Sequence, residues 1–403
     1  MGSQKIVLLS AGQPSLNPRL VKEADSLCNA GYEVVVLYCY WNKWGAAFDK
    51  QLIPTKKWTA ISVAGDPQHK WFTYFLSKIF YRIAVYVCGI TKGKMLSDVA
   101  ISRSAYFLNR EAKKHKADIY ITHHLGALPA AIAASKAHNK PCGFDAEDFH
   151  RNETSNDINN ADVVLKTTVE NKHLPQVNYC TTSSLQIAAA YQNIFAGLKP
   201  VVLLNVFPKS ICTVTDPNGP LKLFWFSQTI GPNRGLDDVV SALQLLNKTE
   251  FELHLLGDQL PSTIDFITEI INSGITVKFH APIHPDQIIP FANQFDIGLA
   301  LENDIPYNRD ICLTNKIFTY MQAGLAIIAS DTIAQSDFMN KNSTIGHIYP
   351  KGNPKVMANI LLRYHQYKEQ LVITKNEALR LGHEQYNWEL ESLKFLTLVK
   401  QTI

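Results

Sequence analysis

Short, wholly apolar, β-branched runs alternate with segments of helical periodicity along almost the whole chain, and this alternation constrains the fold more than any other feature. The run IVLL (6–9) is followed by a helical pattern over 16–30. In that pattern Asn17 is a good N-cap, Pro18 takes the first helical position and Gly31 closes the C-terminus. The run VVVLY (34–38) is the next strand. A strand buried on both faces shows no polar alternation, so this strand–helix–strand order predicts a parallel sheet covered by helices. The pattern resumes with runs at 119–122, 142–145, 177–181 and 201–204 and a helix over 127–137.

Pro208, Pro217, Gly219 and Pro220 then cluster with polar residues and mark a linker. A second series places strands over 221–226, 251–255, 277–279, 297–301 and 326–330, with helices over 236–246, 262–272, 285–292 and 315–323. Helices fill most of 354–399. Two such series predict two Rossmann-like, doubly wound α/β domains, with ligands bound beyond the carboxyl ends of the strands in a shared cleft. The expected division is 1–205, 206–385 and a C-terminal helix over 386–403 that packs back on the first domain. The length of 403 residues agrees with two domains of roughly 200 residues each.

With 46% hydrophobic and 18% charged residues the chain is globular, and a net charge of +4 gives no general case for nucleic acid as a partner. The seven cysteines are dispersed without the spacing of a metal or redox pair, which suits reduced thiols in a cytoplasm. The opening MGSQKIVLLSAGQP lacks the apolar core of a secretory signal, and no run of about 20 apolar residues predicts a membrane span.

Three segments carry candidate chemistry. In LTNKIFTYMQAG (313–324), Thr314 caps a helix starting at Asn315. Its free N–H groups form a phosphate site, to which Lys316 adds a full charge. A first-turn lysine opposes the helix dipole, so a nearby negative group would relieve it; the alternative is a solvated lysine on an ordinary capped helix. In FSQTIGPNRGL (226–236), a loop leaves a buried strand and opens a helix, and Arg234 offers its fork of donors to a diphosphate. In FDAEDFH (144–150), Glu147, Asp148 and His150 crowd a strand end, where like charges can raise a pKa or bind hydroxyls; a solvated polar loop is the other reading. His123 and His124 end another strand, and such histidines can equally be structural. Over 71–87, Trp71, Phe72, Phe75, Leu76, Ile79, Phe80, Ile83 and Val87 share one helical face beside Lys70, Lys78, Arg82, Lys92 and Lys94. Such a stripe ordinarily faces a core; the flanking cations make a membrane surface the alternative.

At these residues the sequence resembles the retaining, GT-B-fold glycosyltransferases of the family-4 type, particularly bacterial polysaccharide enzymes. NPRLVKEADSLCNAGYEVVVL and YITHHLGALPAAIAASKAHNKPCGFDAEDFH look like parts of that family's N-terminal domain. FWFSQTIGPNRGLDDVVSAL and LTNKIFTYMQAGLAIIASDT resemble its donor loop and signature helix. The resemblance implies a nucleotide-sugar held mainly by the C-terminal domain, a saccharide or lipid-linked saccharide acceptor on the N-terminal domain, and no metal or other cofactor. Arg234, Thr314, Asn315 and Lys316 would hold the donor phosphates, with Ser227 and Gln228 in the donor loop, and Gly12 after the first strand is counted in the same set. The family's two glutamates fall here on Ile311 and Thr319, so Glu302 is the candidate replacement; the family's N-domain histidine becomes Glu147. The implied activity is hexosyl transfer in glycan biosynthesis. Glu147, Asp148 and His150 would attend the acceptor, and Arg234 the leaving group. The setting would be a cytoplasm, at the inner face of a membrane if 71–87 lies on it. The rival readings are a nucleotide-sugar 2-epimerase of the same architecture and a degenerate glycan- or partner-binding scaffold.

Overall fold

A computed structural model describes residues 4–403, which divide into two compact units. One comprises residues 4–204, 306–308 and 392–403; the other comprises 205–305 and 309–391.

The first unit is built on a seven-stranded sheet in the order β3-β2-β1-β4-β5-β6-β7. The strands are β1 (Lys5–Ser10), β2 (Glu33–Cys39), β3 (Thr59–Val63), β4 (Ile119–His123), β5 (Cys142–Ala146), β6 (Tyr179–Thr182) and β7 (Val201–Val202), and every pairing is parallel. The strand order reverses between β1 and β4, so the connections leave on opposite sides and a crevice opens at that point of the carboxyl edge. The first helix forms over Pro18–Asn29 because the Asn17 side chain accepts from the Leu20 amide at 3.0 Å and Pro18 presets the first turn. Its Leu20, Ala24 and Leu27 pack on Ile6, Leu8, Val34 and Val36, and Phe395 and Val399 close the same core. Each such side chain, fully buried, contributes about 1.5–3 kcal/mol.

The second unit carries a six-stranded sheet in the order β10-β9-β8-β11-β12-β13. Its strands are β8 (Leu221–Thr229), β9 (Phe251–Asp258), β10 (Val277–His280), β11 (Ile297–Ala300), β12 (Ala326–Ser330) and β13 (Gly346–Tyr349), again all parallel. The reversal falls between β8 and β11. Leu223, Trp225, Leu253, Leu255, Leu299 and Ile328 fill the core.

The sequence pattern passes over two edge strands. β3 (TAISV) is mostly half-exposed and β13 is only four residues long, so neither reads as an apolar run. The apolar stripe of the Trp71–Ile90 helix departs from the usual expectation. It does not face a core: Phe72, Phe75, Ile79, Ile83, Tyr86 and Ile90 are all exposed.

In the second unit, helix and sheet approach closely at Gly298 of β11. A Cβ there would lie 2.2 Å from the Tyr320 ring, whose hydroxyl donates to the Leu299 carbonyl at 3.0 Å. The ring is fully buried and has no room to retreat. Gly298→Ala should therefore destabilise the second unit by about 1–3 kcal/mol, the usual range for overpacking, read as a lower urea midpoint of the Trp225 fluorescence transition.

Candidate functional site

In parallel sheets all the carboxyl-end loops emerge at one edge, and the candidate residues of each unit collect there. In the second unit β8 runs on to Thr229, so Ser227 and Gln228, expected in the loop, lie at the end of the strand, and residues 230–235 turn into the Leu236–Gln244 helix. Asn233 (φ 61°) and Gly235 (φ 73°) take left-handed conformations to make the turn. A side chain at Gly235 would also press on Leu301 at 3.0 Å, so glycine is required twice over. Ser227 and Arg234 are half-buried and Gln228 is exposed.

Thr314 caps the Asn315–Ala323 helix, accepting from the Lys316 amide at 3.4 Å. The alternative of a solvated lysine does not hold. Lys316 is buried, and its Nζ lies 2.5 Å from Glu302 Oε1 and 6.0 Å from the centre of the Trp225 ring. The negative partner that a first-turn lysine calls for is thus Glu302, beyond the end of β11. The Glu302 backbone is locked by Ser330, whose Oγ accepts from its amide at 2.8 Å and donates to its carbonyl at 2.7 Å.

Burial would raise the Glu302 pKa, but the charge and hydrogen bond of Lys316, with Arg234 and Arg309 nearby, hold it below the usual carboxylate range. Three cations therefore surround one carboxylate at this strand edge. Among the described residues no side chain hydrogen-bonds the Arg234 guanidinium, whereas Arg309 donates to the Asn233 carbonyl at 2.9 Å and braces the loop. Arg309 escaped the sequence reading because it lies in an aperiodic stretch, NDIPYNRD, with no spacing that ties it to Arg234 or Lys316.

In the first unit a buried ionic cluster underlies the strand ends. Arg19 Nε lies 2.7 Å from Asp145 Oδ2 and 3.5 Å from Glu23 Oε1, and its Nη1 donates to the Leu203 carbonyl at 2.6 Å. His123 is clamped between Glu23 Oε2 (3.1 Å) and Asp145 Oδ2 (3.3 Å), with Glu147 Oε1 at 3.8 Å. Burial would lower the His123 pKa, but the carboxylates of Glu23, Asp145 and Glu147 around the ring raise it well above 6.5. Glu23, His123 and Asp145 also have the spacing of metal ligands. The Arg19 guanidinium, 2.7 Å from Asp145 Oδ2, already brings positive charge to this group, and the cluster braces the ends of β4 and β5.

The brace holds Glu147 at the carboxyl end of β5. Burial works to raise its pKa, but the neighbouring His123, with the charges of Arg19 and His124, brings it down to about 2. The crowding of carboxylates raises a pKa instead at Asp148, through burial and the charge of Glu153. Asp148 Oδ1 accepts from the Asn308 amide at 2.9 Å. His150 is turned away into the protein, with Nδ1 3.3 Å from Glu153 Oε2 and its backbone N–H donating to the Tyr191 hydroxyl at 3.1 Å. His124, just past β4, has φ 65° and ψ 143°, a conformation costing about 1–3 kcal/mol. Gly12 follows β1 in this first unit, where its carbonyl accepts from the Cys39 amide at 3.2 Å; the rest of the expected donor set belongs to the second unit.

No known protein family and no curated protein matches the chain by sequence. Solved structures match it over nearly its full length. The sucrose-phosphate synthase of Thermosynechococcus elongatus superposes with a TM-score of 0.71 over 99% of this chain and 98% of its own, at 14% identity. HepE of Anabaena, solved in complex with UDP and glucose, gives 0.69 over 99% of this chain and all of its own, at 13% identity. TarM of S. aureus gives 0.68 over 99% of each chain, at 12% identity. The chain has the GT-B fold. The two Rossmann-like sheets are the two halves of that architecture.

The His123 charge sets a pH dependence. A raised folded-state pKa contributes stability that is complete below the unfolded value near 6.5 and is lost as the pH rises through the folded value. The urea midpoint of the first unit should therefore fall as the pH is raised above 6.5. In His123→Gln the unfolding free energy extrapolated from the urea curve should be lower by about 3–5 kcal/mol at acid pH, because buried carboxylates lose their partner, and the alkaline fall should flatten.

Proposed function

We propose that the protein transfers a sugar from a nucleotide-sugar donor to a hydroxyl of a saccharide or lipid-linked saccharide, in the building of a glycan, with retention and without a metal. The observation that carries this reading is the group of three cations, Arg234, Arg309 and Lys316, around Glu302 at the second unit's strand edge. That arrangement, with the capped helix start at Thr314, suits a diphosphate. The GT-B neighbours bound to UDP or UDP-glucose support the same choice of ligand.

In this reaction the bond between the sugar's anomeric carbon and the diphosphate oxygen breaks, and a bond from the acceptor oxygen to that carbon forms. Negative charge grows on the leaving diphosphate. Preorganised cations and helix-start amides stabilise it more in the transition state than in the ground state. Glu147, with its pKa near 2, stays a carboxylate and is a weak base. It is suited to accept a hydrogen bond from an acceptor hydroxyl, or to face the positive charge developing on the sugar. The departing diphosphate oxygen is the stronger base, phosphate groups having a second pKa of about 6, and it takes the hydroxyl proton.

The reading makes two measurable demands. Arg234→Ala should weaken binding of a nucleoside diphosphate at least about tenfold, or ~1.4 kcal/mol, by calorimetry across UDP, GDP and ADP; unchanged affinity, or no binding of any nucleotide by the unaltered protein, refutes it. Glu302→Gln removes the carboxylate that competes for Lys316. It should tighten nucleotide binding while lowering the melting temperature of the ligand-free protein. Incubation with the donor alone separates transfer from epimerisation, since transfer needs the acceptor.

A further inference from the structure

The Trp71–Ile90 helix is built inside out for a globular protein. Its buried side is a stripe of small residues, Ser77, Ala84 and Cys88, and Ala84 and Cys88 pack with Ala100, Val99 and Leu165 in a minor cluster. Its large apolar residues point the other way. Phe72, Phe75, Ile79, Ile83, Tyr86 and Ile90 follow one another at steps of three and four, which puts them on one face. Phe72 is 58% exposed, Tyr86 70% and Ile90 65%. Met95 and Leu96, just past the helix, are exposed as well.

The charges on the helix and its immediate flanks are all of one sign. Between Asp66 and Asp98 the chain has no acidic residue, while Lys70, Lys78, Arg82, Lys92 and Lys94 are all exposed. By helical phase Lys78 and Arg82 flank the apolar stripe. At its N-terminal end a cavity of about 280 Å³ is lined by Lys70, Arg110 and Lys114; its one carboxylate, Glu111, is paired with Lys114 at 2.7 Å. No helix among the described residues is long and apolar enough to cross a membrane.

We propose that this face lies in the headgroup region of an anionic bilayer, with the aromatic and aliphatic side chains in the acyl boundary and the cations at the phosphates. Long cationic side chains beside a continuous apolar stripe reach the lipid phosphates while their stems cover apolar surface, and anionic lipid adds attraction that falls with salt. A folded acidic partner would satisfy the lysines and the arginine but has no need of six exposed apolar residues in line. The inference does not depend on the proposed sugar transfer, and its test does not read activity.

The test is co-sedimentation of the full chain with vesicles of phosphatidylcholine alone and of phosphatidylcholine with phosphatidylglycerol. Binding to the anionic vesicles is expected, weakening as salt is raised. Phe72→Ser/Ile83→Ser and Lys78→Glu/Arg82→Glu should each reduce it at least tenfold, with circular dichroism and melting temperature unchanged. These side chains are exposed, so the variants should fold. No sedimentation with anionic vesicles, or sedimentation that both variants leave intact, overturns the proposal. So does a dimer on gel filtration that dissociates in Phe72→Ser/Ile83→Ser, which would assign the face to a second copy of the chain.

Discussion

Parallel pairing is the constraint from which the rest of this molecule follows. Within each sheet every strand runs the same way, so in each unit the strands end at one edge and the loops that can carry chemistry are delivered there. Helices must cross back over both faces, which buries the strands and makes their sequences continuously apolar. Side chains with charge then have two places to go: the open edge, or the interior just beneath it at a high desolvation cost.

Both units use that second place, with different outcomes. In the first unit Arg19 and His123 sit wholly buried among Glu23 and Asp145, and the charges satisfy one another. Taking ions out of water is repaid only when geometry is tight and further hydrogen bonds fill the remaining positions. Here Leu203 and Thr181 supply such bonds, to Arg19 and Asp145 respectively. The cluster ties the first helix to the ends of β4 and β5 and so fixes where Glu147 stands. In the second unit the account does not close. Glu302 answers Lys316, while among the described residues no side chain hydrogen-bonds the Arg234 guanidinium.

Much of this was legible in the chain because it is local. The strands β1, β2 and β12 are apolar runs with polar residues only at their ends, β8 holds the run LFWF, and the helix starts at Asn17 and Thr314 are announced by their caps. Arg234 was visible as a loop cation at a helix start. What escaped is long-range or without period. Arg19 and Glu23 are four apart and readable as a pair, but their partners His123 and Asp145 lie more than ninety residues away, on strands that only the folded sheet brings together. Lys316 showed the need for a negative neighbour. That Glu302 meets the need depends on β11 lying beside β12 and cannot be read from spacing. The apolar stripe over 71–87 was plain, but its direction was not, because periodicity shows that a face exists and not what covers it.

That direction is fixed by what lies on the opposite side of the helix. Ser77, Ala84 and Cys88 let its backbone settle close against its neighbours, in a seat shared with the half-buried rings of Tyr74 and Tyr81. Rolling the helix half a turn would force Phe72, Phe75 and Ile83 into that seat. The close fit on one side of the helix is thus what turns these side chains outward on the other.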